Sequence, residues 1–599
     1  MSRLTRDRLR VFVVLAGLAL AAPARAQLGI DLSAPKKDEK KPAKPSKTSA
    51  PPAIELRPAE PGKASAGKER MDAAKRLFDE KAYETAALAY DQILREPALA
   101  PVHEEARYQL AKSLVRMGLN HAALLELDEL TARGPSSKYY ATALEWVFSI
   151  GRKLRNEQPV LQRVARASGQ GIPPDYQDRF HYLLAKYEFE RGRALQDAGR
   201  AAEARTSYEE ARRLAGMVRE QAGATPAPAP GAKGAKGTAA DVASAGAADE
   251  GDLFAKARFV DGLALYAEGD AVRAVESFKE VVRLTNPKRG RRADPELREL
   301  AFLQLARIHY EARQNRYAIF YYDRMPWGGE SWLEGLWEAS YAHYRIGDYE
   351  KALGNLLTLQ SPYFRDQYFP ESYILKSIIY YENCRYPEAR QILEDYAGVY
   401  EPVYDEIVAL TSRSGSPAQL YDAVIEGGEK APATRTGVIT RKILNLALTD
   451  QNVKRLSDSI GEIEQEMDVG IGRRRPEFRQ SALGKDLVDR LAAEKRTLVD
   501  EAGARTRAKL EYERDALRAL LAQALRIKIE VSRNEREALE GSLTSGQQVE
   551  VLRDLKFSAA VSDEHLYWPY EGEFWRDELG TYSYTLTKGC RVPKHASAR

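Results

Sequence analysis

The chain is short of the residues from which reactive or stapled sites are built. It holds two cysteines, Cys384 and Cys590, and seven histidines in 599 residues. Two thiols without histidine neighbours cannot assemble a tetrahedral zinc site. In an oxidising compartment a long-range disulfide and a pair of separate thiols both fit the sequence. The histidines (His103, His121, His181, His309, His343, His565 and His595) are scattered. His103-Glu104-Glu105 lacks the second histidine one helical turn on that a helical zinc protease requires. Missing too are a Gly-x-Ser-x-Gly elbow, a dinucleotide fingerprint and a calcium loop. The stretch Gly231 to Thr238 alternates glycine with lysine, but not in the Gly-Lys-Ser/Thr order of a phosphate loop, and no strand precedes it. With no convergent groups of matched roles, no catalytic, cofactor-binding or metal-ligating residue is assigned, and a non-enzymatic protein is expected. An excess of one charge is also lacking: 91 Lys and Arg face 87 Asp and Glu, a net charge of +4. No global field points to nucleic acid.

Long apolar runs are absent as well. The one candidate, Val11 to Ala22, is too short to span a bilayer and follows Arg3, Arg6, Arg8 and Arg10. With Ala24-Arg25-Ala26 as a small-x-small cleavage site, residues 1–26 read as a signal peptide, which places the mature chain in the periplasm with no membrane span. Residues 27–68 are rich in Pro, Lys, Ala and Ser and read as a disordered tether. Its lysines, from Lys36 to Lys47, suit contact with peptidoglycan or another anionic surface as well as plain solvation.

What the chain does have is a repeat. Ala274, Ala318, Ala352 and Ala389 fall 44, 34 and 37 residues apart. Twelve positions before each stands a small residue (Gly262, Ala306, Ser340, Ser377), and four after each a large one (Phe278, Tyr322, Leu356, Leu393). The same register appears at Ala74/Ala86/Tyr90, Ala111/Ala123/Leu127 and Gly192/Ala204/Tyr208. Small residues let two antiparallel helices approach, and the large residue one turn on fills the groove beside them. Seven clear units result, with room for a degenerate pair around Tyr139 to Ser168. The period, with glycine in the turn at Gly118, Gly199, Gly269 and Gly347, resembles the tetratricopeptide (TPR) repeat. That resemblance implies an all-α, TPR-like solenoid of helical hairpins, with the first helix of each pair lining a groove for a peptide or protein partner.

The expected organisation is a TPR arm over 69–220, an Ala/Gly/Pro linker over 221–251, a second TPR arm over 252–402 and a helical region over 403–480. A long amphipathic helix over 481–541 and an aromatic tail over 542–599 complete it. Val438 to Met467 reads as one amphipathic helix. In the long helix Leu510, Leu517, Ala524, Val531 and Ala538 recur every seven residues, with Gly503 as the breaker. A coiled coil, a projecting hairpin and a capping bundle all fit that stripe.

On the TPR resemblance, the groove is lined by Phe259, Tyr266, Arg307, Tyr310, Trp337, Tyr341, Tyr344, Arg345 and Tyr381. Rigid rings offer contact area at low entropic cost and arginine can fix carboxylates; packing against the next repeat or the folded-back tail is the competing role. The tail carries Tyr567, Trp568, Tyr570, Phe574 and Trp575, too much ring surface to leave in water, so it must dock on its own solenoid or on another protein. Lys288 to Arg292 and Arg473 to Arg475 are basic clusters suited to phosphate headgroups, cell-wall anions or solvent. The signal, repeats and tail Tyr567 to Leu579 together resemble periplasmic TPR proteins of the myxobacterial adventurous gliding motility machinery. The resemblance implies a protein-interaction scaffold in an envelope assembly. An adaptor recruiting peptidoglycan or outer-membrane biogenesis enzymes, and an activity located after Pro402, stand as alternatives.

Overall fold

A computed structural model describes residues 64–151, 153–155, 160, 163–165, 177–220, 252–289, 294–364, 367–413, 415–429, 435–448, 450–544, 557–559, 569–570, 572–584 and 586. The signal peptide, nearly all of the 27–68 tether, the 221–251 linker, Tyr567, Trp568 and Cys590 lie outside these residues. The helices are α1 (Ala64–Asp79), α2 (Tyr83–Arg95), α3 (His103–Arg116), α4 (Asn120–Thr131), α5 (Tyr140–Gly151), α6 (Gln177–Asp197) and α7 (Ala201–Gly216). There follow α8 (Leu253–Ala267), α9 (Ala271–Leu284), α10 (Pro295–Glu311), α11 (Asn315–Tyr322), α12 (Trp332–Ile346), α13 (Tyr349–Leu359), α14 (Pro370–Glu382) and α15 (Tyr386–Arg413). The last are α16 (Pro417–Glu429), α17 (Arg435–Leu448), α18 (Gln451–Gln465), α19 (Pro476–Arg479) and α20 (Ala482–Thr544). The fold is all-α and TPR-like, with one small sheet near the C-terminus that the sequence reading did not foresee.

Each hairpin is closed by the same device. Seven residues after each small residue of the first helix stands a residue of positive φ: Lys81 (63°), Gly118 (82°), Gly199 (74°), Gly269 (88°), Arg313 (59°), Gly347 (82°) and Cys384 (58°). The amide that follows donates to the carbonyl five residues back, at 2.8–3.0 Å in all seven, as in Asp348 N to His343 O. This satisfies carbonyls left open at the helix end and reverses the chain in two residues. Only glycine enters the left-handed region without strain, so Lys81, Arg313 and Cys384 mark units where the turn is imposed by packing. That packing is the small-residue register: Ala74, Ala86, Ala274, Ala306, Ala318, Ser340, Ala352, Ser377 and Ala389 are fully enclosed. A Cβ on Gly262 would stand 2.9 Å from the Phe278 ring, and one on Gly192 2.6 Å from the Tyr208 ring.

The chain forms two compact units. One comprises the described residues of 28–301 and 455–499, the other those of 302–454 and 500–599, so the division falls inside α10, α18 and α20. In the first unit α8 packs on both α6 and α7, so the helices either side of 221–251 belong together and the boundary lies at Ala301–Phe302 rather than at that linker. Residues after 455 return to this unit through a π-helical segment, Glu466–Ile471. Leu483, Leu487 and Leu491 of α20 are buried in the same core as Ile93 and Leu127, and Arg490 pairs with Glu126 at 2.6 Å.

The stretch expected as one helix is broken into α17 and α18, because Asp450 Oδ1 accepts from Val453 N at 3.2 Å and caps a new helix. The heptad stripe of α20 serves neither a coiled coil nor a projecting hairpin. Leu510, Leu517, Ala524 and Val531 are buried in the core shared by α14, α15, α16 and α17, while Ala538 is exposed. Arg390–Glu535 (3.2 Å), Lys528–Glu394 (3.1 Å) and Arg507 Nη1 to Thr411 O (3.2 Å) run α20 antiparallel to α15. Asn534 Nδ2 donates to the Tyr381 hydroxyl at 2.6 Å, laying α20 beside α14 as well. This part of α20 therefore holds the place of the next repeat's first helix.

Gly503 does not break α20. A Cβ there would stand 2.0 Å from the Pro417 carbonyl oxygen, so the glycine marks a backbone-to-backbone contact with α16. Helix propensity alone would make Gly503→Ala stabilising by about 1 kcal/mol. The contact reverses the sign: urea unfolding should show a loss of about 1–3 kcal/mol, as for overpacked cores.

Candidate functional site

The residues assigned to the groove fall into two groups. Phe259 and Tyr266, both half-buried, lie on α8 in the first unit, where Phe259 meets the fully buried Phe278 edge to face at 5.4 Å. The remainder gather in the second unit on the first helices of successive hairpins, α10, α12 and α14. Helical spacing along α12 puts Trp337, Tyr341, Tyr344 and Arg345 on one side. Trp337 and Tyr341 meet edge to face at 4.7 Å, and Trp337 reaches Phe369 at 6.3 Å.

Several of these rings are tied to a neighbouring element. The Arg345 guanidinium lies 3.8 Å above the Tyr310 ring and its Nη1 donates to the Tyr310 carbonyl at 3.1 Å. Tyr344 and Tyr349 both donate to Glu382, at 3.0 and 3.1 Å. Tyr381 is held by Asn534, so the α14 end of the face is covered by α20. The rings are half-buried, each with one part packed and one part on the surface. Burial pushes the Tyr310 phenol up to about 12 and raises Tyr341 as well, so both act as neutral hydroxyls.

Arg307 departs from its expected role. Its guanidinium donates to Glu334 and takes Glu338 through both Nε and Nη2, at 2.6–3.1 Å for Glu338. Tyr322 adds a hydrogen bond to Glu338 at 2.9 Å. Burial works against the charge, but Glu338 and Glu334 outweigh it and hold the group protonated. Its Nε and Nη2 donors are thus engaged by carboxylates of the adjoining hairpin's first helix. Glu334 and Glu338 went unassigned in the sequence; their spacing of one helical turn on the adjoining first helix was the available signal.

A second unassigned group is Glu371, at the start of α14. Burial raises its carboxyl to about 7, and Glu513 pushes in the same direction. Tyr341, Tyr368, Tyr396, Tyr400 and Tyr512 lie within its electrostatic reach. No nucleophile and base pair accompanies it among the described residues. His309 and His343 occupy equivalent places and each bonds the residue five on across the turn through Nδ1, Gln314 at 2.6 Å and Asp348 at 2.9 Å, while Nε2 of His343 is buried without a hydrogen-bond partner among the described residues.

The tail docks on its own chain. Strand β1 (Phe557–Ala559) pairs antiparallel with β2 (Pro569–Tyr570) and β3 (Tyr582–Tyr584), in the order β2-β1-β3. Tyr570 thus serves as a strand residue paired with Phe557. Strand β3 lies on α13 so closely that a Cβ on Gly354 would stand 1.9 Å from the Tyr582 carbonyl oxygen. Trp327 Nε1 donates to Leu579 O (2.9 Å), Lys351 Nζ to Gly580 O (3.0 Å), Gly580 N to Thr358 Oγ1 (2.9 Å) and Tyr380 to the Tyr584 hydroxyl (2.8 Å). Leu579, Tyr582 and Tyr584 are buried, Phe574 is half-buried and Trp575 stays 56% exposed. Among the described residues of the tail the buried anchors are therefore not Trp575 but Leu579 and two later tyrosines.

These features define the class: an array of TPR-like helical hairpins whose first-helix face carries partly open aromatic rings. No protein-family model matches the chain, and no curated protein matches it either. Solved structures with which it aligns include the apo form of RapI, at 11% identity over 72% of this chain and 97% of that one, with a TM-score of 0.25. The TPR domain of P58(IPK) aligns at 13% identity over 71% and 97%, with a TM-score of 0.17, and yeast Tom70 at 11% over 72% and 96%, with a TM-score of 0.18. Scores this low carry no argument of their own, and the class rests on the hairpin geometry.

Two outcomes follow from the buried charges. Arg307→Ala leaves Glu334 and Glu338 facing each other, and urea unfolding should show a loss of about 3 kcal/mol; a change within about 0.5 kcal/mol would mean a solvent-screened pair. Glu371 keeps a proton in the folded chain that the unfolded chain, near 4.5, releases. Its contribution is full below about pH 4.5 and lost as pH rises to about 7. Glu371→Gln should therefore leave the urea midpoint unchanged at pH 4.5 and raise it at pH 8.

Proposed function

We propose that the mature chain is a non-enzymatic scaffold that holds protein or peptide partners in the bacterial periplasm. The observation that carries the reading is the face of α10 and α12, where Tyr310, Trp337, Tyr341 and Tyr344 are fixed by neighbours yet half-open. Rings held in place lose little entropy on binding, which is how aromatic hot spots gain affinity. Since Arg307 is consumed by Glu334 and Glu338, ring contact and the hydroxyls of Tyr310 and Tyr344 supply the recognition, with Arg345 as the remaining cation.

The compartment rests on the leader-like residues 1–26. With the tail resemblance to gliding-motility components, the reading extends to assembling or transmitting force through an envelope complex. Pull-down from envelope extracts with the intact chain tests it. Tyr310→Ala with Tyr344→Ala, and separately Arg345→Glu, should release partners that the native chain retains while the melting temperature shifts by a few degrees. Partners unchanged in both variants would remove the groove from the account, and a cytoplasmic location on fractionation would remove the compartment.

A further inference from the structure

In the first unit a cavity of about 580 Å³ opens where the π-helical segment Glu466–Ile471 and the turn after it meet α2, α4 and the end of α5. Its wall includes the consecutive residues Arg473, Arg474 and Arg475, with Met117, Leu154 and Val469 as the apolar part. Arg474 is the structural member. Its guanidinium donates to Glu84 at 3.0 Å, to the Met117 carbonyl at 2.7 Å and to the Gly470 carbonyl at 2.8 Å, which fixes the turn. Arg473 and Arg475 flank this anchor, are exposed, and make no ion pair among the described residues.

Two of the three acids of the wall, Glu462 and Glu466, have both carboxylate oxygens committed elsewhere. Glu84 gives Oε1 to Arg474 at 3.0 Å, while its Oε2 is buried with no hydrogen-bond partner among the described residues. Glu462 accepts from the Arg155 amide at 2.9 Å and faces His121 Nε2 at 3.2 Å. Glu466 accepts from the amides of His121 and Ala122, at 2.8 and 3.1 Å, and so caps α4. The cations left facing the cavity outnumber the acids left facing it, although the chain as a whole is close to neutral. Two guanidiniums on a fixed turn suit a tetrahedral oxyanion, because each presents a planar fork of donors. The volume exceeds what a bare ion needs and falls in the range of small-ligand sites.

We propose that this cavity is an anion site for a phosphoryl group carried on a small molecule or a lipid headgroup, with Arg473 and Arg475 as its ligand-facing residues and Arg474 as their support. The site lies apart from the aromatic face and does not depend on the scaffold reading.

The test uses the full chain, with glycerol 3-phosphate as the soluble probe and phosphatidylglycerol vesicles, against phosphatidylcholine vesicles, as the membrane probe. Arg473→Gln with Arg475→Gln should weaken binding at least ten-fold with the melting temperature unchanged, since neither side chain has a packing role. Arg533→Gln with Arg536→Gln, an equal loss of charge on α20, should leave binding as it was. Calorimetric binding of glycerol 3-phosphate alone would assign a soluble phosphoryl ligand, and cosedimentation with phosphatidylglycerol alone a headgroup; both support the site. Binding to neither probe, or binding that the two double variants weaken equally, would overturn it.

Discussion

The second-unit and first-unit hairpins alike depend on one constraint: two helices brought within contact of each other's backbone at a small residue. Ala306 against Ala318 and Ser340 against Ala352 leave no space for a larger side chain, and Tyr322 and Leu356 fill what remains beside them. Such close approach fixes where the first helix must end, and hence where the left-handed turn residue must fall. At Arg313 and Cys384 the constraint overrides the residue's own preference, which shows that inter-helix packing and not turn chemistry sets the register. A helical pair is too thin to enclose its own apolar face, so each must lean on the next. In the second unit the later part of α20 meets that need after α15, running where another first helix would lie.

The same logic explains what is open for binding. A first-helix face stays available only where nothing of the chain covers it. At α14 the Asn534 contact closes it over Tyr381, and at α13 the segment from Phe574 to Tyr584 covers the second-helix side. What is left is the face of α10 and α12, with Tyr310 beneath Arg345 and Trp337 against Tyr341. Two of the charges there are balanced internally, Arg307 by two carboxylates and Glu382 by two tyrosine hydroxyls, which leaves Arg345 as the cation among the ring edges.

Much of this was legible in the residue order. The seven units follow from a register of 12 and 4 that survives in the structure at every member, and the glycines at Gly118, Gly199, Gly269 and Gly347 stand at the turns expected of them. The turn-spanning Nδ1 bonds of His309 and His343 were also foreseeable, because a residue five positions on lies across the same turn. Less legible were Gly503, read as a breaker although it serves a contact with Pro417, and the segment from Val438 to Met467, whose helical periodicity continues across the break that Asp450 caps. Periodicity reports which side of a helix is apolar. It is silent on whether the helix is interrupted or on what it faces.

Local pattern by itself therefore determined the all-α hairpin class, the number and register of the units and the residues enclosed between paired helices, since these are set by contacts a few to a dozen positions apart. Only the tertiary structure decided that the heptads of α20 pack on α14 and α15, that Leu579, Tyr582 and Tyr584 anchor the tail, that Arg307 is consumed by Glu334 and Glu338, and that Arg474 props two unpaired arginines at a cavity. Those choices depend on groups separated by tens to hundreds of residues. An apolar stripe or a charge carries no mark of its partner until folding has placed one beside it.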